Sequence, residues 1–282
     1  MTDLLIALKN IVENPNNDLV SQYCSLNRMN SMGEALEFYI KDIFSGALSE
    51  ADLSKKEQAY SQKFSYLGNQ NNPPDIIIKG GDAIEVKKHM GARAGRLALN
   101  SSYPKDFLYS DSSMITMVCR ECEKWTKKDI IYAVGSIVDN KIKSLWLVYG
   151  NCYAASREVY EKIKNAITQG VNSLPDIEFG ETNELGRVNK VDPLGITDLR
   201  IRGMWAIKHP GRVFDYLPET IVGADLKVNA LMLTSKYDSF PKTDREKLEK
   251  LASKNLLVKD VQIKSPDNPA KFLEAKLIRF TK

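Results

Sequence analysis

Histidine and cysteine are scarce in this chain: His89 and His209 are the only histidines among 282 residues, and the cysteines are Cys24, Cys119, Cys122 and Cys152. So few cysteines argue against a disulfide framework and suit reduced thiols in a cytoplasm. Cys119-x-x-Cys122 lacks the second ligand pair of a zinc site, and neither histidine stands at a matching spacing. The thiols therefore read as structural. No apolar run approaches the ~18 residues of a membrane span. The stretch Met1 to Leu8 lacks both a basic start and a small-residue cleavage site, so it does not read as a signal peptide. Low-complexity linkers and internal repeats are missing too.

What is present is ordinary for a soluble globular protein, with 43% hydrophobic and 27% charged residues. The net charge of +4 permits a nucleic acid partner without demanding one, because a local patch matters more than the total. We expect residues 1–216 to form one core and residues 217–282 a subdomain packed on the same unit.

The most informative stretch runs from Pro74 to Lys87. Two isoleucine- and valine-rich runs flank Gly80-Gly81, which predicts a β-hairpin. Glu85 and Lys87 are two apart, so they share a face while Val86 points away. A three-residue loop from Lys79 to Gly81 pairs Ile78 with Asp82 and sets Asp75 opposite Glu85. A two-residue Gly80-Gly81 turn puts Asp75 on the other face, since a one-residue slip flips every side chain. Two carboxylates facing each other repel, and a divalent cation between them removes the conflict. Few hard oxygen ligands suit Mg²⁺, which keeps several waters and accepts phosphate oxygens. Lysine beside them can orient or deprotonate a water and stabilise phosphate charge. An exposed hairpin with a charged outer face is the competing reading.

Around this hairpin the chain alternates. A short amphipathic helix is predicted from Asp3 to Val12 and a clearer one from Met32 to Phe44, with Ser31 and Glu34 as a capping box. Glu37 falls at the edge of the apolar stripe, where it either leans into a neighbouring site or sits on a solvated flank. Residues 48–72 read as loop or short helix. After Lys87, the basic glycine-containing segment with Arg93 and Arg96 leads to Asn100, Ser101, Ser102 and Lys105, groups able to grip phosphates. Met114 to Cys119 reads as a buried strand. Ile130 to Gly150 reads as a hairpin turning at Asp139-Asn140-Lys141, and Ala155 to Gln169 as a helix capped by Gly170. Strands are expected near Val228–Leu233, Leu256–Ile263 and Ala275–Phe280, with a helix near Asp244–Leu251. The sum is an α/β sandwich with the site at a sheet edge.

From Leu199 to Lys208 apolar and polar residues alternate, which predicts a half-buried strand with Arg200 and Arg202 on its open face and His209 just beyond. Paired arginines suit guanine in the major groove or phosphate, and a solvated face is the third possibility.

The arrangement Pro74-Asp75…Glu85-Val86-Lys87 resembles the PD-(D/E)xK nuclease superfamily. Together with Asn27 to Glu37, Leu145 to Tyr153 and Leu194 to Trp205, it makes the chain similar to type II restriction endonucleases of the NgoPII-like family. The resemblance implies a mixed central β-sheet flanked by helices and a Mg²⁺-dependent homodimer. It further implies cleavage of both strands of a short palindrome, GC-rich and GGCC-like, with a cognate DNA methyltransferase in the same host. Onto this chain it carries Asp75 and Glu85 as metal ligands, Lys87 as the catalytic lysine, and Glu37 as a further ligand. A repair or junction-resolving nuclease, and a catalytically silent DNA-binding protein on the same scaffold, remain as alternatives.

Overall fold

The apolar run from Ile130 to Ile137 is buried throughout as part of β6 (Lys127–Val138), in a computed structural model that describes residues 2–24, 32–69, 72–91, 94–99, 102–217 and 223–282. A strand buried on both faces belongs in the middle of a sheet covered on both sides. The sheet is mixed. Its spatial order is β1 (Phe64–Asn69), β2 (Asn72–Ile78), β3 (Ala83–Met90), β6, β7 (Lys141–Tyr149), β11 (Lys227–Leu233), β13 (Phe272–Thr281) and β12 (Leu256–Lys264), and β5 (Phe107–Tyr109) pairs with β6. Pairings β3–β6 and β7–β11 are parallel, the others antiparallel. Asp139 and Asn140 both take positive φ between β6 and β7, the two-residue hairpin turn that matches strand twist. Residues from 227 onward extend this same sheet.

Two ribbons stand apart from it: β4 (Arg96–Ala98) with β10 (Ala206–Lys208), and β8 (Gly186–Val188) with β9 (Leu199–Ile201). The helices are α1 (Leu4–Glu13), α2 (Met32–Ser45), α3 (Leu53–Lys63), α4 (Met117–Glu121), α5 (Gly150–Tyr153), α6 (Arg157–Asn172), α7 (Pro210–Val213), α8 (Thr234–Ser239) and α9 (Lys242–Lys250). No helix among the described residues is long and apolar enough to cross a membrane.

Helix α2 is fixed from both sides. Its apolar stripe, Ala35, Leu36, Tyr39, Ile40, Ile43 and Phe44, is buried. Leu36 seats on Gly135 of β6, where an added Cβ would lie 2.7 Å from Leu36 Cδ1. Asp42, fully buried, accepts from Tyr23 at 2.8 Å and Tyr60 at 2.5 Å and pairs with Lys56 of α3. These partners offset the cost of burying a charge.

Several elements differ from the sequence reading. Met114–Cys119 is not a strand: Thr116 caps α4 by accepting from the Cys119 N–H, and Met117 and Val118 point to solvent. Helix α6 runs through Gly170 and is capped at Ser173. Edge strand β1 occupies part of the segment expected to be loop. The strand expected from Leu199 to Lys208 is two short strands in different ribbons, and Leu199 is half exposed. The capping box at Ser31 lies outside the described residues.

Candidate active site

Strands β2 and β3 pair Ile76 with Ile84 and Ile77 with Ala83, and Ile78 N–H donates to the Asp82 carbonyl at 2.9 Å. The loop is thus Lys79 to Gly81. That register, carried one residue further, sets Asp75 opposite Glu85. The turn is held from outside. Lys128 donates to the Gly81 carbonyl at 2.8 Å, the Gly80 N–H to Glu123 at 2.9 Å, and buried Asp82 accepts from Tyr149 at 2.6 Å and Lys236 of α8 at 2.7 Å. Edge strand β1 closes over the other end. A Cβ on Gly68 would sit 2.3 Å from the Pro74 carbonyl oxygen, so only glycine lets β1 pass Asp75.

Inside, the charges are badly balanced. Asp75 Oδ2 accepts the Val86 N–H at 2.6 Å. Burial first, and then the Glu85 charge, push the Asp75 carboxyl well above the usual carboxylate range. Glu85 Oε1 pairs with Lys87 Nζ at 2.6 Å, whereas its Oε2 is buried without a hydrogen-bond partner. Burial works to lower the Lys87 pKa, but the charges of Glu85 and Asp75 outweigh it and hold the ammonium protonated.

Glu37 stands close enough for its charge to act on Asp75 and Lys87, though its Oε1 is held by Lys41 at 2.7 Å. Among the described residues no three His, Cys, Asp or Glu side chains are grouped to hold a metal, so the third ligand expected at Glu37 is not assembled. The two facing carboxylates remain. Their mutual repulsion and the unpartnered Glu85 Oε2 fit a divalent cation, which Asp75 and Glu85 would hold.

Comparison with known proteins bears on what this site does. The family model for NgoPII restriction endonuclease matches residues 2–264. The chain is 45% identical over 280 residues, 99% of each chain, to the type II restriction enzyme NgoPII of Neisseria gonorrhoeae. This chain belongs to the NgoPII restriction endonuclease family. No solved structure matches it.

The residues expected to contact DNA divide into an exposed and a buried group. Arg200 and Arg202 are exposed, and both guanidiniums converge on Glu184. All three line an open groove of about 820 Å³, together with Asn72, Lys164 and Trp205. Arg96 is exposed on β4. Ser102, Lys105 and His209, expected at the DNA surface, are buried instead. Lys105 bonds Ser102 and the Tyr103 carbonyl, while its own N–H donates to Tyr132, the residue beside Glu85 in the β3–β6 ladder. Burial lowers the Lys105 pKa to about 8. His209 bonds Ser136 through Nε2, accepts the Gly211 N–H through Nδ1 and packs on His89, so both nitrogens are spent on the fold. Arg93, Asn100 and Ser101 lie outside the described residues.

Sequence reasoning did not single out Gly68, Glu184, or the approach of Lys105 to Glu85. A glycine inside an edge strand is a signal of close backbone approach and pointed to the first. The other two depend on contacts between distant segments and left no local signal.

Proposed function

We propose that the chain is a type II site-specific endonuclease that hydrolyses phosphodiester bonds in both strands of a short, GC-rich, GGCC-like palindrome, with Mg²⁺ as cofactor. The observation that carries this reading is the facing pair of half-buried Asp75 and buried Glu85, with one unpartnered oxygen and the Lys87 ammonium beside it. It is the site that the PD-(D/E)xK resemblance implies. Asp75 and Glu85 are the residues that would hold the cation, with Glu37 near enough to join once Lys41 releases it. A bound divalent cation supplies Lewis acidity and a more acidic water. Lys87 keeps a positive charge where a phosphate gathers negative charge in the transition state. The groove with Arg200, Arg202 and Lys164 offers the donors for bases and phosphates, and exposed Arg96 adds a further cation.

One site per chain and two strands to cut imply two copies about a two-fold axis. Helix α6 supports this: none of its residues is buried, and Val159, Ile163 and Ile167 expose one apolar stripe. The proposed dimer works in the cytoplasm beside a cognate methyltransferase that protects host DNA.

Digestion of plasmid DNA with Mg²⁺ tests the function. Discrete bands support it. Smears, or cleavage confined to branched junctions, point to a repair or resolving nuclease, and intact plasmid to a silent binding protein. Sedimentation of the wild-type chain beside Ile163→Glu reads the dimer, which the glutamate should dissociate.

A further inference from the structure

Glu184 lies in the connection between α6 and β9, ahead of β8, and its side chain is only 14% exposed. It receives two arginines. Arg200 donates from Nε to Glu184 Oε2 at 3.0 Å and from Nη2 to Oε1 at 2.9 Å. Arg202 reaches Oε1 with its Nε at 2.5 Å. The two arginine side chains are nevertheless 57% and 53% exposed and line the 820 Å³ groove.

The choice of nitrogens matters. A guanidinium has five N–H donors in a rigid fork. Glu184 occupies the Nε edge of both arginines, which leaves Nη1 of Arg200 and both Nη groups of Arg202 uncommitted to it. Bidentate contact with guanine O6 and N7 needs a pair of neighbouring donors, which Arg202 keeps in its two Nη groups, while Arg200 keeps Nη1 for a single contact. A free arginine on a three-residue strand would sample many rotamers, whereas two tied to one carboxylate point in fixed directions before DNA arrives. Pre-organisation of this kind lowers the ordering cost of binding.

A stabilising role for the fold does not account for the arrangement, because exposed ion pairs add little to stability. The same ribbon provides an internal contrast. Arg187 and Asp198 form a looser pair at 3.3 Å, and neither lines the groove.

We propose that Glu184 is a positioning residue for sequence recognition: it clamps the Nε edges of Arg200 and Arg202 and presents their outer nitrogens to guanine. The inference rests on the reading of Arg200 and Arg202 as base-contacting residues. Glu184 adds a second effect of its own. As a carboxylate in a groove meant for DNA, it repels phosphate, so it weakens random binding while it sharpens specific binding.

The test compares full-length wild type, Glu184→Gln, Asp198→Asn and Arg200→Ala. Affinity is measured, without divalent cation, for the duplex that wild type cuts and for a random duplex across a salt series. Glu184→Gln should lower the cognate-to-random ratio by about tenfold or more, with random affinity held or raised. Asp198→Asn, which removes the same charge from the same ribbon, should leave the ratio unchanged. An unchanged ratio in Glu184→Gln while Arg200→Ala loses affinity for the cognate duplex far more than for the random one overturns the inference alone, as does an equal loss in Asp198→Asn. Equal loss on both duplexes in Arg200→Ala, with a salt slope shallower by about one unit, marks a phosphate contact and overturns the underlying reading as well. Should Glu184→Gln fail to fold, Glu184→Asp keeps the charge but withdraws it by one methylene, and the same drop in ratio is expected.

Discussion

The β2–β3 hairpin and the β8–β9 ribbon each gather charged side chains, and they treat them in opposite ways. In the hairpin one carboxylate is buried and the other half-buried, one lysine is paired with them, and Glu85 Oε2 has no hydrogen-bond partner. In the ribbon two arginines share one carboxylate at the surface, and their hydrogen bonds outweigh burial to hold Glu184 below the usual range. Low dielectric magnifies every imbalance in the hairpin, whereas water screens the ribbon. Each is out of balance by one charge: the hairpin carries an extra negative charge that a cation would offset, and the ribbon an extra positive charge on arginines whose direction Glu184 holds.

Breaking the hairpin should have the largest effect. Lys87→Ala removes the fixed charge beside the reacting phosphate and should lower the cleavage rate by about 10²–10³-fold or more. Binding to the cognate duplex should stay close to wild type, because the proposed function assigns affinity to the groove and to phosphate contacts. Single-turnover cleavage with a parallel binding isotherm reads both. Next is Gly68→Ala, whose Cβ meets the Pro74 carbonyl oxygen at 2.3 Å. Overpacking there should cost about 1–3 kcal/mol of stability and shift Asp75, so both the thermal midpoint and the cleavage rate should fall.

A pH profile sharpens the comparison. The folded-state pKa of Asp75 is raised from the ordinary value to about 8 by burial and the Glu85 charge. The folded state therefore holds this proton more tightly than the unfolded chain, and stability falls as pH rises from about 4 to about 8. His209 works the other way. Burial and the neighbouring His89 lower its pKa to about 4, so it gains stability as pH rises to about 6.5. Above that, the His209 contribution is complete while that of Asp75 continues to fall. In metal-free buffer, Asp75→Asn should flatten the decline in thermal midpoint between about pH 6.5 and 8. A slope equal to wild type would place the raised carboxyl elsewhere. The ribbon supplies the smallest effect: Glu184→Gln should change stability by less than about 1 kcal/mol, a near-neutral result in calorimetry.

How far the sequence carried the account follows the same division. The hairpin was legible because its signals are local. Alternation, a Gly-Gly turn and the three-residue loop together set Asp75 across from Glu85, and the β2–β3 pairing has that register. Helix α2 was legible from its apolar stripe, and the C-terminal strands from theirs. The ribbon was not. Alternation from Leu199 to Lys208 suggested one strand with a buried apolar face, yet the chain divides it between β9 and β10 and leaves Leu199 half exposed. Period-two alternation reports which side chains share a face, not what covers the other one. Met114–Cys119 failed for a related reason, since its apolar residues are exposed on a capped helical turn. Ser102, Lys105 and His209 were expected at DNA because they follow the Glu85-x-Lys87 strand or the paired arginines, and tertiary hydrogen bonds bury them.

The central claim is that Asp75 and Glu85 form a cation site whose repulsion a divalent ion relieves. Thermal midpoints of wild type, Asp75→Asn and Glu85→Gln across a Mg²⁺ series, at constant ionic strength, test it most directly. A ligand bound only by the folded state raises stability by about 2.7 kcal/mol at a hundred times its dissociation constant. The account predicts a saturable rise in wild type that both variants lose, with Asp75→Asn starting from a higher midpoint in metal-free buffer. A rise of equal size in all three proteins, or none in wild type, would contradict it.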